Sequence, residues 1–206
     1  MSLTVILIIL TVVISWSCWN KPELQYKLIM NPFAVTKNGQ FYRMITSGFI
    51  HSNWMHLGFN MFTFYFFGRN IEYLFSNLFG SAGVIYFLAL YLLAIVVSDI
   101  PSLIKYKDHP HYNSLGASGG VSAIVFSSIM FFPLEKICLY GIICIPGFIL
   151  GVLYVIYSYY EGKRMADNVN HHAHLIGAIF GVLFSIFVQP SVALSFVEQV
   201  MSYSFF

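Results

Sequence analysis

Polar residues interrupt long apolar stretches of this chain at three places. Ser118 lies in the glycine-rich run Gly116-Ala117-Ser118-Gly119-Gly120, and His174 begins another apolar stretch. His56 and Asn60 are four residues apart, so a helix would project both from one face. A serine in contact with a histidine forms a nucleophile with its general base, and nearby N–H donors can stabilise a tetrahedral oxyanion. These residue types are therefore suited to acyl-transfer chemistry.

The composition indicates that these residues lie in a membrane protein. Of 206 residues, 58% are hydrophobic and 9% charged, whereas a soluble domain has about 25% charged residues. The charge-free stretches are 1–20, 44–68, 73–98, 109–134, 137–160 and 168–197. Each is long enough for a transmembrane helix, which needs about 20 mainly apolar residues. This composition argues against a soluble globule.

The sequence thus predicts an all-α integral membrane protein with six transmembrane helices in one domain, residues 1–206. The predicted spans are roughly 2–20, 53–70, 78–98, 115–133, 137–158 and 170–189, followed by an interfacial tail over 190–206. The first stretch has neither a basic start nor a small-residue cleavage pattern, so we expect a retained span rather than a signal peptide.

The order of the spans predicts that the three polar groups meet. Successive spans cross in opposite directions, so spans 2, 4 and 6 begin in the same leaflet. Ser118 would lie at the start of a helix, where free N–H groups and the positive dipole end favour an anion. Small residues recur every fourth position in span 6, which permits close approach to a neighbouring helix. They are Ala173, Gly177, Gly181 and Ser185, and the small residues of span 4 are Gly119, Gly120, Ser122 and Ala123.

No carboxylate is expected beside this pair, so a Ser-His dyad is predicted. Asp99, Asp108 and Asp167 fall in predicted loops, and Glu72 falls on the opposite side of the membrane. Taken singly, each polar residue also has a plain structural interpretation. In that interpretation Ser118 packs among glycines, Asn60 bridges helices, and the histidines near span ends lie at the interface: His51, His109, His111, His171 and His172.

Cysteine and charge usage exclude several other classes. Cys18, Cys138 and Cys144 all fall within predicted spans, so neither a disulfide nor a thiolate metal site is expected. The chain lacks the clustered Lys and Arg residues of a nucleic-acid-binding patch. No cofactor is expected.

Three motifs in order resemble the rhomboid intramembrane serine proteases, over most of residues 41–187. The first is His51-Ser52-Asn53-Trp54-Met55-His56-Leu57-Gly58-Phe59-Asn60, preceded by Arg43. The second is Gly116-Ala117-Ser118-Gly119, and the third is Ala173-His174-Leu175-Ile176-Gly177 with Gly181. Tyr42 departs from the pattern, because the family often has Trp there.

The resemblance implies a six-helix rhomboid-like bundle and an endopeptidase that cleaves transmembrane segments of other membrane proteins. Ser118 would be the nucleophile and His174 the general base, while His56, Asn60 and the Ser118 N–H would form the oxyanion hole. The supporting residues would be Gly116, Gly119, His171, Gly177 and Gly181. Span 5, with Pro146 and Gly147, would be a substrate gate, and residues 159–169 would cap the site.

The resemblance and the charge pattern disagree about orientation. In the family the N-terminus is cytoplasmic and the site opens outward, yet eight of the ten Lys and Arg residues lie in loops 1, 3 and 5. Such a bias normally marks cytoplasmic loops. We favour the family orientation, because a long loop 1 lying along the membrane can carry its basic residues at the interface. The expected location is the bacterial plasma membrane, and the oligomeric state is left open.

Two other functions are weighed against a serine protease. A metal-dependent intramembrane protease would need a helical H-E-x-x-H, and the segment from His51 to His56 contains no Glu. A non-enzymatic carrier would use the seven histidines to line a proton or metal path. The Gly-x-Ser-x-Gly string also matches the nucleophile elbow of soluble hydrolases, but that elbow follows a strand, and residues 108–113 have loop composition.

Overall fold

The computed structural model describes residues 2–139, 143–164 and 170–204, and most of them are helical. The helices are α1 (Leu3–Asn20), α2 (Pro22–Leu28), α3 (Pro32–Asn38), α4 (Arg43–Thr46), α5 (Trp54–Phe79), α6 (Gly83–Tyr106), α7 (Ser118–Phe131), α8 (Gly147–Arg164), α9 (His171–Val188) and α10 (Ser191–Met201). Short 3₁₀ turns cover Ser47–Phe49 and Gly80–Ala82, and two strands, β1 (Lys136–Leu139) and β2 (Ile143–Pro146), form a hairpin.

Three stretches of the described chain are helical, long and apolar enough to cross a bilayer. They are Leu3–Asn20, Trp54–Tyr106 and His171–Val188, and the second contains both α5 and α6. The helix α7 is apolar but has 14 residues, about 21 Å, which is shorter than the roughly 30 Å hydrocarbon core. Large apolar side chains cover the outer surface of these helices, including Phe59, Phe62 and Leu183. The chain is thus a multi-pass membrane protein built from helices.

The helix α7 lies at the centre of the bundle, between α5, α6 and α9. Glycines of α9 lie directly against its backbone. A Cβ added at Gly177 would overlap the carbonyl of Gly119, and one added at Gly181 would overlap the carbonyl of Ala123. One turn further along α9, Ser185 Oγ lies 2.8 Å from the Ser127 hydroxyl. The small residues of the two helices therefore permit the close approach that their spacing predicts.

A carboxylate fixes the start of α1 against α5. Glu72 accepts hydrogen bonds from the backbone N–H groups of Leu3 (2.6 Å) and Thr4 (2.9 Å) and from the Thr4 hydroxyl (2.6 Å). The first N–H groups of a helix have no partner within it, so this carboxylate satisfies groups that would otherwise be unpaired in the membrane.

The long first loop is folded rather than free. It contains α2, α3 and α4, and Arg43 lies buried at its centre. The guanidinium donates to the carbonyls of Tyr26 (2.6 Å) and Ile29 (2.8 Å) and to the side chain of Gln40 (2.6 Å). Tyr42 stays exposed, and its ring lies 5.7 Å from the guanidinium carbon. Arg43 therefore anchors the loop.

Lys37 and Asp108 join loop 1 to the connection after α6. The Lys37 ammonium lies 2.9 Å from the Asp108 carboxylate. The hydrogen bond from Lys37 is the main reason that the pKa of Asp108 lies below its ordinary value. Both side chains are exposed, so this ion pair orients the loops more than it stabilises the fold.

The third predicted span ends too early. Instead of stopping at residue 98, α6 continues through Pro101 to Tyr106, so Asp99 lies inside a helix rather than in a loop. Asp99 is buried, and the Ser47 hydroxyl donates to its carboxylate at 3.3 Å. The helix continues past the charge because that neighbouring hydroxyl solvates the carboxylate.

The fifth predicted span, 137–158, is also wrong before Gly147. Lys136–Leu139 and Ile143–Pro146 pair as antiparallel strands, and α8 begins only at Gly147. In this register Cys138 lies opposite Cys144, and the two form a disulfide, which corrects the expectation of three unpaired cysteines. Cys18 is a free, buried cysteine. Both segments are short runs of apolar residues, which occur in buried strands as well as in apolar helices.

Two further sequence predictions concern the two ends of α8. Residues 159–164 of the predicted cap belong to α8, and residues 165–169 lie outside the described residues. The predicted gate at Pro146 and Gly147 is the junction between β2 and α8. The tail after Pro190 forms the helix α10, as its apolar spacing predicts.

Candidate active site

The loop before α7 places Ser118 at the first residue of that helix. Gly116 has φ of 120°, a conformation that side-chain-bearing residues rarely adopt, and its N–H donates to the Ser47 carbonyl at 3.0 Å. A Cβ at Gly116 would lie 3.0 Å from His56 Nε2 and 3.9 Å from Ser118 Oγ. Glycine is therefore required here for two reasons, and the His56 ring and the Ser118 hydroxyl both flank it.

His174 lies in the first turn of α9, which packs directly against α7. Asn170 caps this helix by accepting the N–H of Ala173 at 3.1 Å. A Cβ at Gly119 would lie 3.6 Å from the Ala173 carbonyl oxygen, so the residues next to Ser118 and His174 are in contact. The two helix starts are therefore adjacent.

An aromatic side chain from α8 covers His174. The Tyr154 ring stacks on the imidazole with 6.3 Å between ring centroids and 17° between planes. The Tyr154 hydroxyl is 2.9 Å from that of Ser122, one turn after Ser118 on α7. His174 thus lies at the junction of α7, α8 and α9, with its ring plane set by a tyrosine that is itself held in place.

His56 and Asn60 share one face of α5, as their spacing predicts. The Ser52 hydroxyl is 3.2 Å from His56 Nδ1, which leaves Nε2 on the Gly116 side. Asn60 is buried, and its amide donates to the backbone carbonyl of His56 at 2.9 Å. An amide has two N–H donors, so this bond leaves Asn60 one further donor.

A small polar cavity connects Ser118 with the buried carboxylate of α6. Its volume is about 10 Å³, and its lining includes Ser47, Asp99, Ser118 and Asn170. A cavity of about 10–15 Å³ holds one water molecule where it also offers several polar partners. The surroundings of Ser118 are therefore suited to a water molecule despite their depth in the bundle.

The supporting residues named from the sequence fall into two groups. Gly116, Gly119 and Gly177 are positions where a Cβ would overlap a neighbour at or beside the Ser118 turn, and Gly181 makes the same kind of contact one turn further along α9. His171 is buried at the first residue of α9, with its ring 5.8 Å from that of His174 and 5.6 Å from that of Tyr157. It lies beside the Ser118–His174 region.

Sequence reasoning missed two buried polar residues here, Asp99 and His51. His51 was assigned to the membrane interface, yet it is fully buried and contacts Ala117. Its position five residues before His56 was a weak signal. The sequence around Asp99 contains no signal of burial, because a charge at the end of an apolar run normally marks a loop.

The half-buried Ser118 turn, the small-residue packing of α7 and α9, and the His-x₃-Asn face of α5 describe one site. A family model described as the Rhomboid domain matches residues 38–191, which contain all of it. The chain belongs to the rhomboid family. Its helical bundle is a rhomboid fold.

Curated relatives are similar over most of this rhomboid chain. It is 27% identical over 186 residues to RHOMBOID-like protein 12, mitochondrial, of Arabidopsis thaliana, with 81% of this chain and 52% of the relative covered. It is 31% identical over 180 residues to presenilin-associated rhomboid-like protein A, mitochondrial, of Danio rerio, with 81% and 43% covered. It is 29% identical over 158 residues to rhomboid-like protein 11, chloroplastic, of Arabidopsis thaliana, with 69% and 51% covered. The chain thus spans about half the length of these relatives.

Proposed function

We propose that this rhomboid protein is an intramembrane serine endopeptidase in which Ser118 is the nucleophile and His174 the general base. The observation that carries the proposal is the contact between the starts of α7 and α9, where Gly119 faces the Ala173 carbonyl. That contact supports the pairing, because it brings together the two helix starts that carry the Ser118 hydroxyl and the His174 imidazole, at the positive end of α7. The reaction class that uses such a pair is acyl transfer.

The proposed reaction has two halves. In the first, Ser118 Oγ attacks a peptide carbonyl of a transmembrane segment while His174 takes the hydroxyl proton. His174 returns that proton to the leaving amine, and the acyl group stays on Ser118. In the second half, His174 takes a proton from a water molecule that attacks the acyl-enzyme. The second fragment leaves with a new carboxyl group, and Ser118 regains its proton.

The proposed oxyanion hole uses donors from two helices. The Ser118 N–H lies at the start of α7, where backbone donors have no partner within the helix. His56 flanks the same turn at Gly116, and Asn60 retains one amide donor. Donors held in advance of the reaction stabilise a developing negative charge without paying for reorganisation. In this proposal Gly116, Gly119, Gly177 and Gly181 keep the two helices and the turn in register.

The proposed substrates are membrane proteins with a transmembrane segment that can unwind locally. The lipid bilayer is the medium of the reaction, and the whole rhomboid domain is proposed to act as one unit. The named relatives are mitochondrial or chloroplastic, so the bacterial plasma membrane expected from the sequence has no support from the comparisons. The location within a cell is left to experiment.

Cleavage of a reporter in reconstituted vesicles tests the proposed function. The reporter is a single-pass protein with small residues in its transmembrane segment. We expect cleavage by the wild type that persists in excess EDTA and is abolished by Ser118→Ala and by His174→Ala. Ser128→Ala is the matched control, because it removes a hydroxyl from the other end of α7 and should leave cleavage intact.

The outcomes separate this proposal from the alternatives. Cleavage that survives in Ser118→Ala would refute the assignment, and cleavage that stops in EDTA would favour metal chemistry. In the described part of the chain, no three His, Cys, Asp or Glu side chains are grouped to hold a metal. Flux of protons or metal ions through the vesicles without any cleavage would instead favour a carrier.

A further inference from the structure

His51 lies outside the proposed dyad and oxyanion hole, yet it contacts the turn that carries Ser118. It precedes α5 and has no exposed surface. A buried imidazole must satisfy both ring nitrogens with partners, because an unpaired polar atom in an apolar environment costs about 1–3 kcal/mol. The partners of the two nitrogens therefore define what the side chain does.

The hydrogen bonds determine the protonation of the ring. The Ala117 backbone N–H donates to His51 Nε2 at 3.3 Å, so Nε2 carries no proton. His51 Nδ1 is 3.1 Å from the Ser15 hydroxyl oxygen, and that hydroxyl donates its single proton to the Phe49 carbonyl at 3.0 Å. Nδ1 must then be the donor to Ser15. His51 is neutral, with its proton on Nδ1, and it links α1 to the turn before α7.

With this link, the two backbone N–H groups that precede Ser118 in the turn both have acceptors. The Gly116 N–H is bonded to the Ser47 carbonyl, and the Ala117 N–H is bonded to His51. Both acceptors belong to the segment between α4 and α5. The next donor in the chain is the Ser118 N–H, the group that the proposed oxyanion hole requires. Because the Gly116 and Ala117 N–H groups are fixed by their acceptors, the turn sets the direction of the Ser118 N–H.

His51 also contacts the other proposed donor. Its ring meets that of His56 edge to face, with centroids 4.9 Å apart. The indole N–H of Trp19 on α1 donates to the His51 carbonyl at 2.7 Å, so the backbone of His51 is held as well as its ring. One buried side chain thus touches both elements between which a substrate carbonyl would bind.

We propose that His51 is a positioning residue, which accepts the Ala117 N–H and thereby holds the Gly116–Ser118 turn against His56. This inference rests on the proposed function for its catalytic consequence. The proposed hydrogen bond itself is independent of activity. A substitution that removes the acceptor should lower kcat rather than raise KM, because His51 is fully buried and has no surface to offer a substrate.

Three substitutions separate this role from simple packing. His51→Gln can place a carbonyl oxygen near the position of Nε2 and so can still accept the Ala117 N–H. His51→Asn is shorter and can replace only the donor to Ser15, and His51→Leu offers neither group. His111→Leu is the matched control, because His111 is exposed in the connection after α6.

The experiment measures kcat and KM for reporter cleavage, together with hydrogen exchange of the peptide that contains Ala117. We expect His51→Asn and His51→Leu to lower kcat about 10- to 100-fold and to change KM little. A displacement of about 1 Å at a reacting group has an effect of this size. The variant His51→Gln should keep most of the wild-type kcat, and the control His111→Leu should have the wild-type kcat. Exchange near Ala117 should be faster in Asn and Leu than in Gln.

Several results would overturn the inference. Equal kcat for Asn and Gln would show that acceptance of the Ala117 N–H is unimportant, and so would equal exchange in the two variants. If the His51 variants fail to fold, Ser15→Ala removes the partner of Nδ1 and should lower kcat several-fold, and wild-type kcat there would refute the role. An inactive wild type would refute the proposed function, while hydrogen exchange would still decide whether His51 holds the turn.

Discussion

The contact between α7 and α9 gives the most quantitative prediction, through the substitution Gly177→Ala. The added Cβ would overlap the Gly119 carbonyl and lie 2.9 Å from its carbon atom. Because the obstacle is backbone rather than a flexible side chain, the helices must move apart. Overpacking costs about 1–3 kcal/mol, and replacing glycine by alanine in a helix returns about 0.5–1 kcal/mol. We expect a net loss of about 1 kcal/mol in the free energy of unfolding.

Thermal denaturation in detergent measures the loss of stability, and reporter cleavage measures the effect on activity. A loss of about 1 kcal/mol corresponds to a melting temperature about 2–4 °C lower for a chain of this size. Gly119 is next to Ser118, so we also expect kcat to fall about 100-fold, the effect of a displacement of about 1 Å at the reacting group. Gly181→Ala meets the Ala123 carbonyl one turn further away, so it should lose similar stability and less activity.

Gly58→Ala is the matched control for this prediction. It makes the same change within α5, where an added Cβ would meet nothing within 4 Å. We expect it to leave the protein as stable as the wild type or slightly more stable, with unchanged cleavage. If Gly177→Ala behaved like Gly58→Ala in both measurements, the packing argument for the site would be refuted.

Three further substitutions test separate parts of the fold. Glu72→Ala should lower the free energy of unfolding by about 1.5–3 kcal/mol, because it leaves the N-terminal N–H groups of α1 without their charged acceptor; melting at wild-type temperature would contradict this. Asp99→Leu should cost about 1–3 kcal/mol by removing the acceptor of the Ser47 hydroxyl, whereas Asp99→Asn, which keeps an acceptor, should cost less, and the reverse order in a melting series would count against that role. The double change Cys138→Ser and Cys144→Ser should not alter the cleavage rate, because the hairpin lies beyond the far end of α7, about 20 Å from Ser118; a large loss of cleavage would show that the hairpin acts on the site.

The sequence was sufficient to predict the contacts of residues that recur at helical spacing. The small residues of α9 recur every fourth position, and Gly177 and Gly181 each lie against the backbone of α7. The face shared by His56 and Asn60 was likewise predictable, because spacing within one helix depends only on local geometry.

What the sequence could not predict depends on contacts between distant segments. The partners of His51 are 36 and 66 residues away, and the bond from Ser47 to Asp99 joins residues 52 apart. A charge at the end of an apolar run predicts a loop, but Asp99 lies within α6, where a hydroxyl from another element solvates it. The hairpin with Cys138 was mistaken for part of a helix because an unbroken apolar run has no period to distinguish the two.

Covalent labelling with a fluorophosphonate tests the central proposal most directly. The oxygen of a serine activated by a base attacks the phosphorus of the reagent, fluoride leaves, and a phosphonate ester forms on the serine. Mass spectrometry of the labelled wild type should find the adduct on Ser118, and His174→Ala should label far more slowly while Ser128→Ala labels at the wild-type rate. An adduct on another residue, or labelling at the same rate without His174, would contradict the account.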